Sequence, residues 1–291
     1  MKTSAIIKLF VLGAIWGSSF LFMRAATPEF GVYALVEVRA LLAALFLVPF
    51  VWLQKQWHDI RNHWFHIAVI GVVNTAIPFC LFNYSSLHLE AGYNSILNAT
   101  APMFGALLAF IWLSDRLSPS AIVGLVIGFL GVTQLSWAKI SIGSASSAPI
   151  ATALLATFCY GIAACYMKRY MQGIKPLAIA AGSQFFAAIV LFPIALYTWP
   201  TIAPDASAWW QAITLAIICT GIAYILYFDL IANIGPAKAI TVAYLVPLFG
   251  VIWGAVFLAE RLSLPIYIGG FCILIGVALT NGIKLPKRLQ G

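Results

Sequence analysis

Ten stretches of mostly apolar sequence, each about 20 residues long, follow one another along this chain with little sequence between them. A helix needs about 20 such residues to cross the hydrocarbon layer of a membrane, which is about 30 Å thick. The connections are too short to hold a soluble catalytic domain. The sequence therefore predicts an all-α integral membrane protein of about ten transmembrane helices, near residues 5–23, 31–53, 65–83, 91–113, 120–138, 149–167, 177–199, 209–231, 236–258 and 265–283.

The distribution of charge indicates how these spans are oriented. Only 8% of the residues are charged, whereas soluble domains average roughly 25%. If the N-terminus is cytoplasmic, eleven of the 16 Lys and Arg residues lie inside, and only Arg24, Lys139 and Arg261 lie outside. Because inside loops are enriched in Lys and Arg, we expect both termini in the cytoplasm and the protein in a bacterial inner membrane.

The net charge of +8 does not indicate a nucleic-acid-binding surface, because the basic residues stand at the ends of spans and are not interleaved with aromatic residues. We expect no nucleic acid partner, whereas membrane lipid and a small-molecule substrate are the expected partners.

Motifs for catalysis and for metal binding are absent from the sequence. The five cysteines all lie in predicted spans without a close CxxC pair, and there is no HExxH run, no pair of Asp residues at mid-depth and no glycine-rich phosphate loop. We therefore predict no enzyme activity, no catalytic residue, no cofactor and no metal site.

The chain repeats itself at a spacing of 145 residues. Ten residues are identical at this spacing between positions 102 and 132, and Pro102 matching Pro247 is one of the pairs. The acid of Asp115-Arg116-Leu117 is replaced by another acid in Glu260-Arg261-Leu262. A constant spacing over such a length indicates a duplication, with residues 1–145 as one five-helix repeat and 146–291 as the second.

An odd number of spans in each copy predicts that the second repeat crosses the membrane in the opposite direction to the first. Inverted repeats suit alternating access to a central site. Duplication also occurs in membrane proteins that carry nothing, so this alternative stays open. Two fused halves can form a full pathway within one chain, which makes a monomer plausible.

Several motifs are distributed over nearly the whole chain. They are Trp16-Gly17-Ser18-Ser19-Phe20, Arg39, Ala101-Pro102, Asp115-Arg116-Leu117, Gly235-Pro236-Ala237-Lys238-Ala239, Tyr244-Leu245-Val246-Pro247 and Glu260-Arg261-Leu262. In these motifs the chain is similar to the drug/metabolite transporter superfamily, specifically its ten-helix exporters of the EamA type. The resemblance implies export of amino acids, related metabolites or organic cations through a cavity lined by spans 1, 3, 4, 6, 8 and 9. Direction stays open, since some relatives import or exchange compounds.

Polar and aromatic residues within the spans are candidates for substrate binding. Polar side chains in a membrane face protein or a wet cavity, but they also join helices, so both roles remain possible. Aromatic residues that match between the repeats, such as Phe79 and Tyr224, are consistent with a ligand held between the halves. The candidates are Trp16, Phe20, Asn74, Phe79, Asn83, Asn94, Asn98, Tyr160, Tyr224, Tyr227 and Tyr244.

Three further residues are candidates for gating or structural roles. Pro102 and Pro247 each remove a backbone donor within a span and predict a kink, which is either mobile or static. Arg39 lies about 13 Å into the second span, too deep to reach the surface, and Glu37 is on the opposite side of its helix. We expect Arg39 to have a partner elsewhere, either as a structural or gating anchor or as a site for a substrate carboxylate.

These observations favour a secondary exporter of small amphipathic metabolites that works by alternating access. An importer or exchanger of the same superfamily is the nearest alternative, and a passive channel or lipid scramblase is another.

Overall fold

The structure, a computed structural model, describes residues 3–141, 147–261 and 263–282. In this part of the chain ten long helices are formed, and the short helices Trp57–Asn62 and Pro236–Ala239 precede the third and the ninth. The prediction of an all-α protein of about ten helices is confirmed. The ten are α1 (Thr3–Phe30), α2 (Val32–Leu53), α3 (Trp64–Ser86), α4 (Ala91–Leu113), α5 (Pro119–Ser141), α6 (Ser147–Tyr170), α7 (Pro176–Tyr197), α8 (Ala206–Ile234), α9 (Val242–Leu258) and α10 (Leu264–Thr280).

Eight of the helices, α1 to α8, are long and apolar enough to cross a membrane, and α9 and α10 are shorter apolar helices. Large apolar side chains lie exposed around the outside, among them Trp52, Leu130, Phe192 and Phe257. A surface of this kind is stable against lipid and unfavourable in water. The chain is therefore a multi-pass membrane protein. Lys2, Lys284, Lys287 and Arg288, and the predicted repeat boundary at 145/146, lie outside the described residues.

Three of the described helices depart from regular α-helix near their middles. In α3 a π-helical segment, Gly71–Ala76, joins Trp64–Ile70 to Ile77–Ser86. In α8 the π-helical segment Ile217–Ile222 joins Ala206–Ala216 to Ala223–Ile234. In α4 the two parts Ala91–Asn98 and Ala101–Leu113 meet at residues 99–100. The two π-helical segments lie 146 residues apart, close to the spacing of the sequence repeat.

The ends of α4 and α9 also repeat. Ser114 and Ala259 both take the left-handed conformation, with φ of 56° and 52°. The amide of the acid that follows, Asp115 or Glu260, donates to a carbonyl six residues earlier at 3.2 and 3.1 Å. The duplication that is visible in the sequence is therefore present in the backbone as well.

The contact between α5 and α10 gives the relation between the two copies. A Cβ on Gly124 would lie 2.6 Å from the carbonyl oxygen of Gly276, and one on Gly131 would lie 2.7 Å from that of Gly269. Gly124 corresponds to Gly269 and Gly131 to Gly276, so each residue meets the counterpart of the other, as at a two-fold interface. Because position 124 meets 276 and 131 meets 269, α5 and α10 are antiparallel, which is the arrangement expected of equivalent helices in two inverted repeats.

A second pair of close approaches obeys the same relation. Gly17 of α1 packs on Phe249 and Gly250 of α9, and Gly161 of α6 packs on Phe104 and Gly105 of α4. Any larger residue at position 17 or 161 would separate these helices. The contacts hold α1 and α6 beside the helices that enclose the space between the two halves.

Candidate functional site

A cavity of about 760 Å³ lies between the two repeats. All six helices that the resemblance implied contribute to its wall, and α2 adds Arg39. Most of the wall is apolar, and seven of its residues are aromatic. These are Trp16, Phe20, Phe79, Phe82, Tyr160, Tyr224 and Tyr227.

The cavity opens at one end of the helices. Its wall reaches Leu113 at the end of α4, Ile240 before α9 and Asn281 after α10. Ile240 and Asn281 are exposed, as is Lys168 of α6, whose ammonium lies 2.6 Å from the Asp115 carboxylate. Both side chains of this ion pair remain largely accessible to solvent.

At the opposite end the helices are closed by polar contacts. The Glu260 carboxylate accepts hydrogen bonds from the amides of Ala91 and Gly92, at 2.7 and 3.1 Å, in the first turn of α4. The guanidinium of Arg24 donates to the carbonyl of Ser86 at 2.6 Å. A carboxylate at a helix N-terminus is stabilised by the free amides and by the helix dipole. These contacts join α1, α3, α4 and the end of α9 where the cavity stops.

Arg39 lies at the buried side of the cavity, with 6% of its surface exposed. Its Nε donates to the hydroxyl of Thr220 at 3.0 Å, and its Nη1 lies 3.8 Å from the sulfur of Met23. The guanidinium carbon is 3.9 Å from the centre of the Phe79 ring, a cation–π geometry. Thr220 is presented by the π-helical segment of α8, so this irregular turn positions the hydroxyl that holds Arg39.

Several of the aromatic residues contact one another across the two halves. The ring centres of Trp16 and Tyr227 are 5.2 Å apart, and those of Phe82 and Tyr160 are 6.2 Å apart. Within the first half, Phe20 meets Phe82 edge to face at 5.6 Å. Such pairs favour offset or edge-to-face geometry and form rigid apolar walls.

Nine of the residues singled out in the sequence meet in this cavity, and Pro102 borders it at the start of the second part of α4. The two amides among them, Asn74 and Asn98, make no hydrogen bond to another described side chain or backbone group. The nine are Trp16, Phe20, Arg39, Asn74, Phe79, Asn98, Tyr160, Tyr224 and Tyr227.

Four other candidates lie away from the cavity wall. Asn83 donates to the carbonyl of Val32 at 3.4 Å, and Asn94 accepts from the Ser85 hydroxyl at 2.7 Å. The Tyr244 hydroxyl donates to the carbonyl of Val277 at 3.2 Å. Pro247 is buried within α9, the helix that Gly17 approaches. The contacts of these residues join neighbouring helices.

Four other residues that line the cavity, Ser19, Met23, Cys219 and Thr220, are not among the binding candidates predicted from the sequence. A signal for Thr220 was present in the repeat, because a spacing of 145 residues relates Thr220 to Thr75 and Arg39 to Gln184. In the structure Gln184 of α7 donates to the hydroxyl of Thr75 at 3.5 Å, which is the counterpart of the contact between Arg39 and Thr220.

Comparison with known proteins agrees with this architecture. The model of the EamA-like transporter family matches residues 3–137 and again residues 147–282. An uncharacterized transporter of Archaeoglobus fulgidus is 22% identical over 90% of this chain and 93% of its own length. A protein of Streptantibioticus cattleyicolor named "Probable terminal-alkyne amino-acid exporter" is 26% identical over all of this chain and 98% of its own.

A solved crystal structure has the same fold, with a TM-score of 0.64 and 16% identity over 96% of this chain and 98% of that one. The family and the names of the relatives indicate transporters and not enzymes.

Proposed function

The chain belongs to the EamA-like transporter family, and we propose that it is a secondary transporter that exports small metabolites by alternating access. The single observation that carries the proposal is a cavity between two inverted repeats that is open at one end and closed at the other. A carrier requires such a compartment, because a pathway open at both ends would dissipate the gradient. We take residues 1–145 and 146–291 as the two moving units.

Amphipathic metabolites such as amino acids are the substrate class we propose. The aromatic wall would hold an apolar part of the molecule, and Asn74, Asn98 and Arg39 offer polar groups to the rest. The relative from S. cattleyicolor is named as a probable amino-acid exporter, which supports this class. Organic cations are the alternative substrate class in this proposal, and import is the alternative direction.

The open end faces the cytoplasm in the orientation that we propose, with both termini inside a bacterial inner membrane. The Lys and Arg distribution supports this orientation. In the outward-facing state the contacts of Glu260 and Arg24 would break, and the end near Lys168 and Asp115 would close.

Flux through the cavity can be tested in proteoliposomes loaded with a panel of labelled amino acids and related metabolites. We expect saturable efflux of at least one compound and counterflow when unlabelled substrate is present outside. A channel or a scramblase would give neither saturation nor counterflow.

A variant that fills the cavity provides the matched control. Ala106 lines the cavity, whereas Ala255 of α9 is exposed on the outside of the helices. Ala106→Trp should abolish flux, and Ala255→Trp should leave it within about twofold, because only the first indole occupies the cavity. No flux for any compound, or equal flux in both variants, would reject the proposal.

A further inference from the structure

The cavity holds a cation that no carboxylate in the described part of the chain neutralises. Arg39 makes no ion pair with a described Asp or Glu, and its contacts are the neutral groups of Thr220, Met23 and Phe79. Its Nη2 donates no hydrogen bond within the described part of the chain. A guanidinium keeps its proton under all ordinary conditions, so a positive charge with free donors faces this space.

The rest of the wall adds no negative charge. The charged residues that line the cavity are Arg39 and Lys168, and none of the described lining residues is Asp or Glu. Lys168 stands at the mouth, where Asp115 neutralises it at 2.6 Å. The closed side of the cavity is therefore positive, which attracts an anion and repels a cation.

The symmetry-related position argues against a purely structural role for this charge. Gln184 occupies the place of Arg39 in the other repeat, and it reaches Thr75 as Arg39 reaches Thr220. A neutral amide is thus sufficient to join these helices. Gln184 is fully buried and does not line the cavity, whereas Arg39 does. The charge is present only on the side where a ligand can meet it.

We propose that the cavity selects organic carboxylate anions with an apolar or aromatic body, and that Arg39 is the residue that binds the carboxylate. Its planar guanidinium suits a carboxylate, which can accept two parallel hydrogen bonds. The rings of Trp16 and Tyr227 border the space for the apolar body. This inference rests on the proposed transport function and narrows it, because it excludes organic cations and does not require an ammonium group on the substrate.

Four probes that share a benzyl group test the inference on the purified protein. They are phenylacetate, its neutral amide phenylacetamide, the cation 2-phenylethylamine and the zwitterion phenylalanine. Binding is measured by calorimetry and by the rise in unfolding temperature that a ligand produces. We expect phenylacetate to bind at least about tenfold more tightly than the neutral amide, and the cation to bind least.

Variants at position 39 test the residue. Arg39→Gln introduces the side chain found at the equivalent position 184, so we expect it to fold while phenylacetate binds about tenfold to a hundredfold more weakly. Arg39→Lys keeps the charge but not the planar donor pair and should retain part of the binding. Arg61→Gln removes an exposed arginine on the short helix Trp57–Asn62 and serves as the control without effect.

The outcomes separate this inference from the transport proposal. If phenylethylamine or phenylacetamide binds as well as phenylacetate, or if Arg39→Gln leaves phenylacetate binding unchanged, carboxylate selection is wrong while transport can still hold. If Arg39→Gln does not fold, the order of the four probes on the unaltered protein decides. If none of the four binds, carboxylate selection is wrong, and if in addition no amino acid or metabolite is carried by proteoliposomes, both proposals fail.

Discussion

Two symmetry-related contacts differ by a single charge. Arg39 of α2 reaches Thr220 of α8, and Gln184 of α7 reaches Thr75 of α3, each pair bridging the two repeats. The backbone around the two hydroxyls is the same, since both lie in π-helical segments. The duplication thus supplies the scaffold twice, and the difference between Arg and Gln marks the copy that faces the cavity.

A second comparison concerns the acids that follow the left-handed turns at Ser114 and Ala259. Glu260 binds the first turn of α4 at the closed end, whereas Asp115 at the open end pairs with Lys168. Equivalent backbone therefore carries different contacts at the two ends. In a carrier that alternates between two conformations, the contacts of Asp115 and Glu260 would change with the conformation. The difference between Arg39 and Gln184 is present in every conformation, because it lies in the sequence.

The largest effect on stability is expected from an arginine at position 184, the neutral counterpart of Arg39. Gln184 is fully buried and faces no cavity, so Gln184→Arg should lower the free energy of unfolding by about 3 kcal/mol. Unfolding in detergent, followed by fluorescence, measures the loss, with Gln184→Met as the neutral control. Wild-type stability in Gln184→Arg would mean that the two positions are equivalent environments and that burial does not distinguish them.

The fold could be read from the sequence because hydropathy and a constant spacing of 145 residues are properties of long segments. The site could be read only in part. Helical periodicity places Asn94 and Asn98 on one face, but it does not say which neighbouring helix lies there. In the structure both residues lie in the same helical part, Ala91–Asn98, but Asn94, one turn nearer the closed end, meets Ser85 of α3, whereas Asn98 meets the cavity. Thr220 was missed because a π-helical turn changes the direction of a side chain, which helical periodicity does not predict.

At the closed end, Glu260→Gln should favour opening by about 1 kcal/mol or more, because it removes the charge from two hydrogen bonds at a helix N-terminus. Spin labels on the exposed positions His88 and Leu264 would report the change as a larger population at long distance. The same distance distribution in wild type and variant would show that Glu260 does not stabilise the closed end.

Removing the hydroxyl of Thr220 or of Thr75 compares the stability contributed by the charged contact of Arg39 with that contributed by the neutral contact of Gln184. Thr220→Val leaves the Arg39 guanidinium without its acceptor at 3.0 Å, and Thr75→Val removes a longer contact of 3.5 Å to Gln184. We expect Thr220→Val to cost about 1 kcal/mol more in unfolding free energy than Thr75→Val, because bonds to charged groups are stronger. Equal losses would show that the charge adds nothing to the bridge between the repeats.

Asp115→Asn at the open end should give the smallest effect, within about 0.5 kcal/mol of the wild type in unfolding free energy. The ion pair of Asp115 with Lys168 is short, at 2.6 Å, but both side chains are solvated, so the attraction is largely offset by hydration and by the loss of side-chain freedom. The same unfolding assay applies, with Glu260→Gln measured beside it. If Asp115→Asn were as costly as Glu260→Gln, the acids at the two ends would carry equal contacts. The contrast between an open and a closed end would then have no energetic basis.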